Sequence, residues 1–142
     1  MLKIKVQKLY SGAVLPARSV EGDTAFDLFA CLNRNETIRP GERRIIPCGI
    51  AVEMPEGYGL FIIPKSGLSV KHGVTVHNSP GFIDSNYRGE VRVVLGNSKW
   101  EAFQVFPGAR VAQVVVLPVP YILWDEVDEL LDNKRETAYV HV

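Results

Sequence analysis

The chain has 142 residues, 46% of them hydrophobic, with 16 basic and 16 acidic side chains and a formal net charge of +0. This is the composition of one ordinary globular domain, long enough to bury a core. The charge balance gives no general attraction to nucleic acid or to a membrane surface, and leaves room only for a local basic site of the kind that binds a small polyphosphate.

The opening MLKIKVQKLY alternates Leu2, Ile4 and Val6 with Lys3, Lys5 and Gln7. That period predicts a half-buried strand, and the lysines interrupt any apolar run, so the segment does not read as a signal peptide. TAFDLFA reads as an apolar strand carrying Asp27. A carboxylate buried there needs an ion, an arginine or water, and Arg110 is one candidate. Cys31 and Cys48 form no CxxC pair and read as reduced thiols of a cytoplasmic protein. RRIIPCGIAVEM is β-branched and apolar, PEGYG follows as a turn, and LFIIP begins the next strand.

In IPKSGLSV an apolar strand ends at Pro64 and meets a cation, a hydroxyl and a glycine. SGLSVKH is a candidate short helical turn with Ser66 as its N-cap. Backbone N–H groups at such a start, with Lys65 and Ser66, suit phosphate oxygens; they equally suit a plain strand-to-helix corner. GVTVHN is another strand candidate, and the amide of Asn78 after it matches both a donor and an acceptor on a nucleobase edge. His72 and His77 lack partners at metal-ligand spacing.

GFIDSNYRGEV places a strand-like Gly81-Phe82-Ile83 directly before Asp84. Asp, Ser and Asn are what a β-turn selects, and a carboxylate at that point is also suited to take a proton from an attacking water. Tyr87 offers packing or a flat wall against a sugar or base. EVRVVLG, AFQVF and RVAQVVVLPV are the remaining strand candidates, the last carrying Arg110 and Gln113. Pro118 and Pro120 cannot donate to a central ladder, so this strand ends at an edge or leaves its sheet, and the residues beyond form an arm. WDEVDELLD spaces Trp124, Val127, Leu130 and Leu131 roughly as a helix does, while VVVLPVPYILW is too short and too proline-broken to span a bilayer. Many short strands between turn-rich links indicate an all-β barrel or sandwich.

In order and spacing, four of these segments resemble the motifs of the trimeric dUTP diphosphatase (dUTPase) family, within the dUTPase/dCTP deaminase superfamily. AFDLFA resembles the first motif, with Ala25 where glycine is usual; PKSGLS resembles the second, with Lys65 for the usual arginine; GVTVHNSPGFIDSNYRGE resembles the third and GARVAQ the fourth. The resemblance implies a dUTPase-like distorted jelly roll or β-barrel with one short helix, a single domain over 1–132, and a homotrimer whose sites are shared between subunits. It implies hydrolysis of dUTP to dUMP and pyrophosphate, which keeps uracil out of DNA and supplies dUMP for thymidylate synthesis.

By the same resemblance Asp84 activates the water that attacks the α-phosphorus. Asn78 and the backbone of Gly81, Phe82 and Ile83 take the uracil, and Tyr87 packs on the deoxyribose. Lys65, Ser66, Gly67 and Gln113 hold the triphosphate, Asp27 and Arg110 support them, and Mg²⁺ is carried by the substrate phosphates with Asp27 reaching its water shell. Residues 133–142, NKRETAYVHV, stand where the family has a glycine-rich arm, with Arg135 and Tyr139 loosely matching its arginine and phenylalanine. This departure implies an altered lid and reduced turnover. Two other readings follow: a dUTPase-like binding or regulatory protein with weak or no turnover, and a dCTP deaminase. The second lacks the double serine of that group after Lys65, and has Leu95, Gly96 and Asn97 where its catalytic glutamate is sought.

Overall fold

A computed structural model describes residues 1–132. Its elements in chain order are β1 (Lys5–Lys8), β2 (Phe26–Phe29), β3 (Glu36–Ile38), β4 (Arg43–Pro47), β5 (Ile50–Glu53), β6 (Tyr58–Ile63), α1 (Ser66–His72), β7 (Val74–Val76), β8 (Gly81–Ile83), β9 (Arg92–Asn97), β10 (Phe103–Val105) and β11 (Arg110–Pro118). A four-stranded sheet runs β2-β11-β6-β8, a three-stranded sheet β4-β9-β7, and the pairs β1-β5 and β10-β3 complete the set. Every one of these pairings is antiparallel. One core cluster draws on all four sheets, with Ile38, Ile46, Leu95, Val105 and Ala112 wholly buried. The all-β jelly-roll expectation with one short helix therefore holds.

The four-stranded sheet sets the site. In β6, Leu60 and Ile62 enter the core, and β8 matches them with buried Gly81 and Ile83 around an exposed Phe82. In β11, Ala112 and Val114 face inward and Gln113 takes the other face. The register sets Gln113 opposite both Ile63 and Asp27, and Phe61 opposite Phe82. Alternation then puts Asp27, Gln113, Phe61 and Phe82 on the same outer face of the sheet.

Four local expectations change. Lys65, not Ser66, is the N-cap residue: it is extended (φ −84°, ψ 123°), no side chain caps the helix, and helical geometry begins at Ser66. The Lys65 side chain is drawn into an ion pair instead, which fixes residue 65 at the strand's end. The strand predicted from Leu2 begins at Lys5, and all four residues of β1 are exposed, with β5 its one strand partner among the described residues. The segment Trp124 to Asp132 is not helical, and Trp124, Leu130 and Leu131 are exposed; a short helix with no face to bury is marginal. The β3 strand is an addition that its polar sequence did not announce.

The proline argument holds. β2 pairs with β11 only as far as Val114, so Pro118 lies where β11 has β6 alone beside it. After a last backbone bond from Val119 N–H to Gly57 O, the chain leaves the sheet with Tyr121, Leu123 and Trp124 almost fully exposed. Arg135 and Tyr139, and the tail 133–142 with them, lie outside the described residues.

Candidate active site

One end of the four-stranded sheet gathers cations around a buried carboxylate. Asp27 is 3% exposed. Its Oδ1 pairs with Lys65 Nζ, while its Oδ2 accepts from Ser19 Oγ and lies 3.2 Å from Arg110 Nε. Burial by itself raises the pKa of Asp27, but the hydrogen bonds from Lys65 and Ser19 and the charges of Lys65 and Arg110 outweigh it and hold the carboxyl below its ordinary value. Arg110 was anticipated as a partner; Lys65 and Ser19 were not, because nothing in their spacing from Asp27 reveals the contact. Two cations against one carboxylate leave this edge net positive. Lys65 also keeps two N–H donors beyond the one spent on Asp27.

Gln113 joins the same edge, donating from Nε2 to Pro64 O at 3.1 Å. That bond ties the strand-to-helix corner to β11. Ser66 and Gly67 follow on the exposed first turn of α1. Glycine inside a helix costs about 1 kcal/mol relative to alanine, yet a Cβ on Gly67 would meet nothing within 4 Å. No neighbour among the described residues requires the glycine.

Asp84 stands at the other end of the sheet. It follows β8 on an exposed turn, and its Oδ1 accepts the Asn86 N–H at 3.0 Å, which orients the carboxylate. Phe82, Asp84, Asn86 and Tyr87 line a shallow hollow of about 260 Å³. Phe82 leans on Phe61 with ring centroids 5.1 Å apart. Tyr87 donates its hydroxyl to Glu90 O at 2.8 Å, which pins the ring while leaving it 43% exposed. Ile83 faces the core and Gly81 packs on Ile62. Asn78 is exposed in the turn between β7 and β8.

The two ends are far apart within one chain. β8 runs antiparallel to β6, so Asp84 lies level with the start of β6 and Lys65 follows its end. Six residues of strand separate these levels, about 20 Å at the strand rise. No side chain bridges that gap, so one copy of the chain does not bring Asp84 and Lys65 to a single phosphoryl group. A hollow of about 860 Å³ among the described residues is lined by Tyr10, Cys31, Ile45, Arg92 and others, and by none of the anticipated site residues. It is an open surface concavity. Among the described residues no group of three or more His, Cys, Asp or Glu is placed to hold a metal, and no helix is long and apolar enough to cross a membrane.

Comparison with known proteins identifies the family. A sequence model of the dUTPase family matches residues 12–140. The chain is 44% identical to the deoxyuridine 5'-triphosphate nucleotidohydrolase of Nautilia profundicola over 94% of its own length and 93% of that protein's. It is 42% identical to the same-named protein of Syntrophotalea carbinolica, covering 94% and 91% respectively. Among solved structures, the dUTPase of Staphylococcus aureus phage phi11 superposes with a TM-score of 0.83 at 22% identity, covering 91% of this chain and 98% of that one. The dUTPase of staphylococcal phage 80alpha gives 0.82 at 23%, covering 92% and 99%. At such identities the structural likeness speaks for the fold.

Proposed function

This chain belongs to the dUTPase family and is a dUTP diphosphatase, and from that premise we propose that Asp84 is the general base of the hydrolysis and that the cationic edge of a neighbouring copy holds the triphosphate. The observation that carries the reading is Asp84 itself: an open carboxylate, oriented by a backbone N–H, at the rim of an aromatic-walled hollow. Asp84 takes a proton, on the oxygen not spent on the Asn86 N–H, from a water attacking the α-phosphorus in line, with dUMP and pyrophosphate as products. Tyr87, its ring fixed by the bond to Glu90 O, packs against the deoxyribose and leaves no room for a 2′-hydroxyl. Asn78 and the backbone of Gly81, Phe82 and Ile83 read the uracil.

Lys65, the N–H groups of Ser66 and Gly67, and Gln113 bind the phosphates. Asp27 holds the Lys65 ammonium in place so that it need not be ordered when substrate arrives. Mg²⁺ on the phosphate oxygens supplies further screening of the anionic chain against the nucleophile. Both Asp27 oxygens are already engaged by Lys65, Ser19 and Arg110. Asp27 therefore fits contact with the ion's water shell rather than direct ligation.

The separation of the two ends along β6 supports a homotrimer in which the third motif of one chain meets the first, second and fourth of another. The exposed apolar arm beyond Pro118 supports it too, since Tyr121, Leu123 and Trp124 have no cover among the described residues. Free thiols at Cys31 and Cys48 accord with a reducing, cytoplasmic setting. The deaminase reading is not favoured: Asn97, at the position where its acid is sought, spends its amide on Ile38 O and Glu101 O as a buried structural link.

Pyrophosphate release with Mg²⁺ from dUTP, dCTP, dTTP and UTP, with ammonia followed in parallel, tests the reading. Release from dUTP alone is expected, and Asp84→Asn is expected to lower kcat by about 10²- to 10⁴-fold while dUTP still binds. Undiminished turnover in that variant removes Asp84 from the role of base.

A further inference from the structure

We propose that Arg88 is a positioning residue for the turn that carries Asp84 and Tyr87. The inference deepens the functional reading of that turn and rests on it. Residues 84–90 lie outside any strand, and most of them are exposed. A segment of that kind does not hold a carboxylate and a ring in fixed relation by packing alone.

The Arg88 guanidinium does so by hydrogen bonding. Its Nη1 donates to Ser85 O at 2.7 Å and to Tyr87 O at 3.1 Å, closing the turn across the carbonyls on either side of Asn86. Its Nη2 lies 3.6 Å from Glu53 Oε1 on β5, and Glu53 Oε2 lies 2.6 Å from Lys5 Nζ on β1. One planar fork therefore binds the crown of the turn to itself and to a sheet other than the one that delivers it. The far stem is held separately: Tyr87 donates to Glu90 O, and the Glu90 carboxylate accepts the Gly49 N–H at 2.9 Å.

Arginine suits this task in a way that lysine does not. Its donors point in fixed, different directions, whereas an ammonium is a compact charge that satisfies the carbonyls or Glu53 but not both in one geometry. The Arg88–Glu53 pair is about half exposed on both sides, and pairs of that kind add little to global stability. Its effect is local. Misplacement of a reacting group by about 1 Å costs on the order of a hundredfold in rate, and Asp84 and Tyr87 are the two groups this fork keeps in register.

The test uses the full chain and compares Arg88→Ala, Arg88→Lys and Glu53→Gln with the parent. It reads kcat and KM for dUTP, the ratio of kcat/KM for dUTP over UTP, and the melting temperature. Arg88→Ala is expected to lower kcat about ten- to a hundredfold, to narrow the dUTP/UTP ratio, and to melt near the parent. Arg88→Lys recovers part of both losses, Glu53→Gln falls between parent and Arg88→Ala, and added guanidinium ion raises the turnover of Arg88→Ala.

Parental kcat and parental discrimination in Arg88→Ala overturn the proposal, whatever happens to KM. If Arg88→Ala melts far below the parent, Arg88→Lys and Glu53→Gln decide, and parental behaviour of both in rate and discrimination overturns it. Asp84→Asn, assayed alongside, separates the two levels: its undiminished turnover counts against the base assignment, while the dUTP/UTP ratio still reports whether Arg88 positions Tyr87.

Discussion

Asp27 and Lys65 make the residue-scale case for charge as architecture. A carboxylate this deeply buried is costly alone, and here two cations and a hydroxyl offset that cost. Its folded-state pKa lies below the ordinary value, so the ionised form stabilises the fold fully above about pH 4–5. That contribution is lost as pH falls through the depressed folded value. Urea midpoints measured against pH should therefore fall on the acid side, and Asp27→Asn should flatten that part of the profile. Lys65→Met leaves Asp27 with Ser19 and Arg110 only, and is expected to cost about 1–3 kcal/mol in urea unfolding, with a raised KM for dUTP. Asp27 was visible in the sequence as a polar residue out of place in an apolar strand. Ser19 was not, because a side-chain contact across a loop leaves no periodic mark.

At the scale of elements, β6 and β8 are fitted to each other through a glycine. A Cβ on Gly59 would sit 2.3 Å from Cε2 of Phe82 and 3.2 Å from Cε2 of Phe61. The bare backbone there is what lets the Phe82 ring lie down on the sheet beside the hollow that holds Asp84. Gly59→Ala is expected to displace that ring, raising KM for dUTP more than it lowers the melting temperature, because Phe82 is about half exposed and contributes little to the core. Gly59→Ala with Phe82→Leu is expected to recover the loss, as the smaller side chain clears the methyl; kinetics on the two variants and a crystal structure of the single one check it. The strands themselves were legible from alternation and turn chemistry, since both reflect local backbone geometry. The facing of Gly59 and Phe82 was not, because register between strands 20 or so residues apart is a tertiary property.

The whole molecule carries a division that one chain does not close. Asp84 and Lys65 lie level with opposite ends of β6, and the apolar arm beyond Pro118 has no cover among the described residues. A shared site predicts complementation. Chains carrying Asp84→Asn and chains carrying Lys65→Ala, each poorly active alone, should regain part of the parental turnover when unfolded and refolded together. Sedimentation should show three copies. Strictly additive activity of the mixture would mean that each chain builds its own site. Replacing Leu123 and Trp124 with serine is expected to shift the sedimenting species toward the single chain, since neither belongs to the core of the described residues.

The sequence alone determined that this is a small all-β domain, where most of its strands run, where the last strand leaves its sheet, and which family its motifs resemble. Those features are written in periods of two, in turn formers and prolines, and in short motifs whose order is preserved along the chain. The tertiary structure decided which of those residues meet. It brought Ser19, Asp27, Lys65 and Arg110 to one point, gave the N-cap position to Lys65, left β1 exposed, and set Asp84 a strand's length from the cationic edge. Contacts across sheets depend on register and twist summed over the whole molecule, and no local pattern of residues records them.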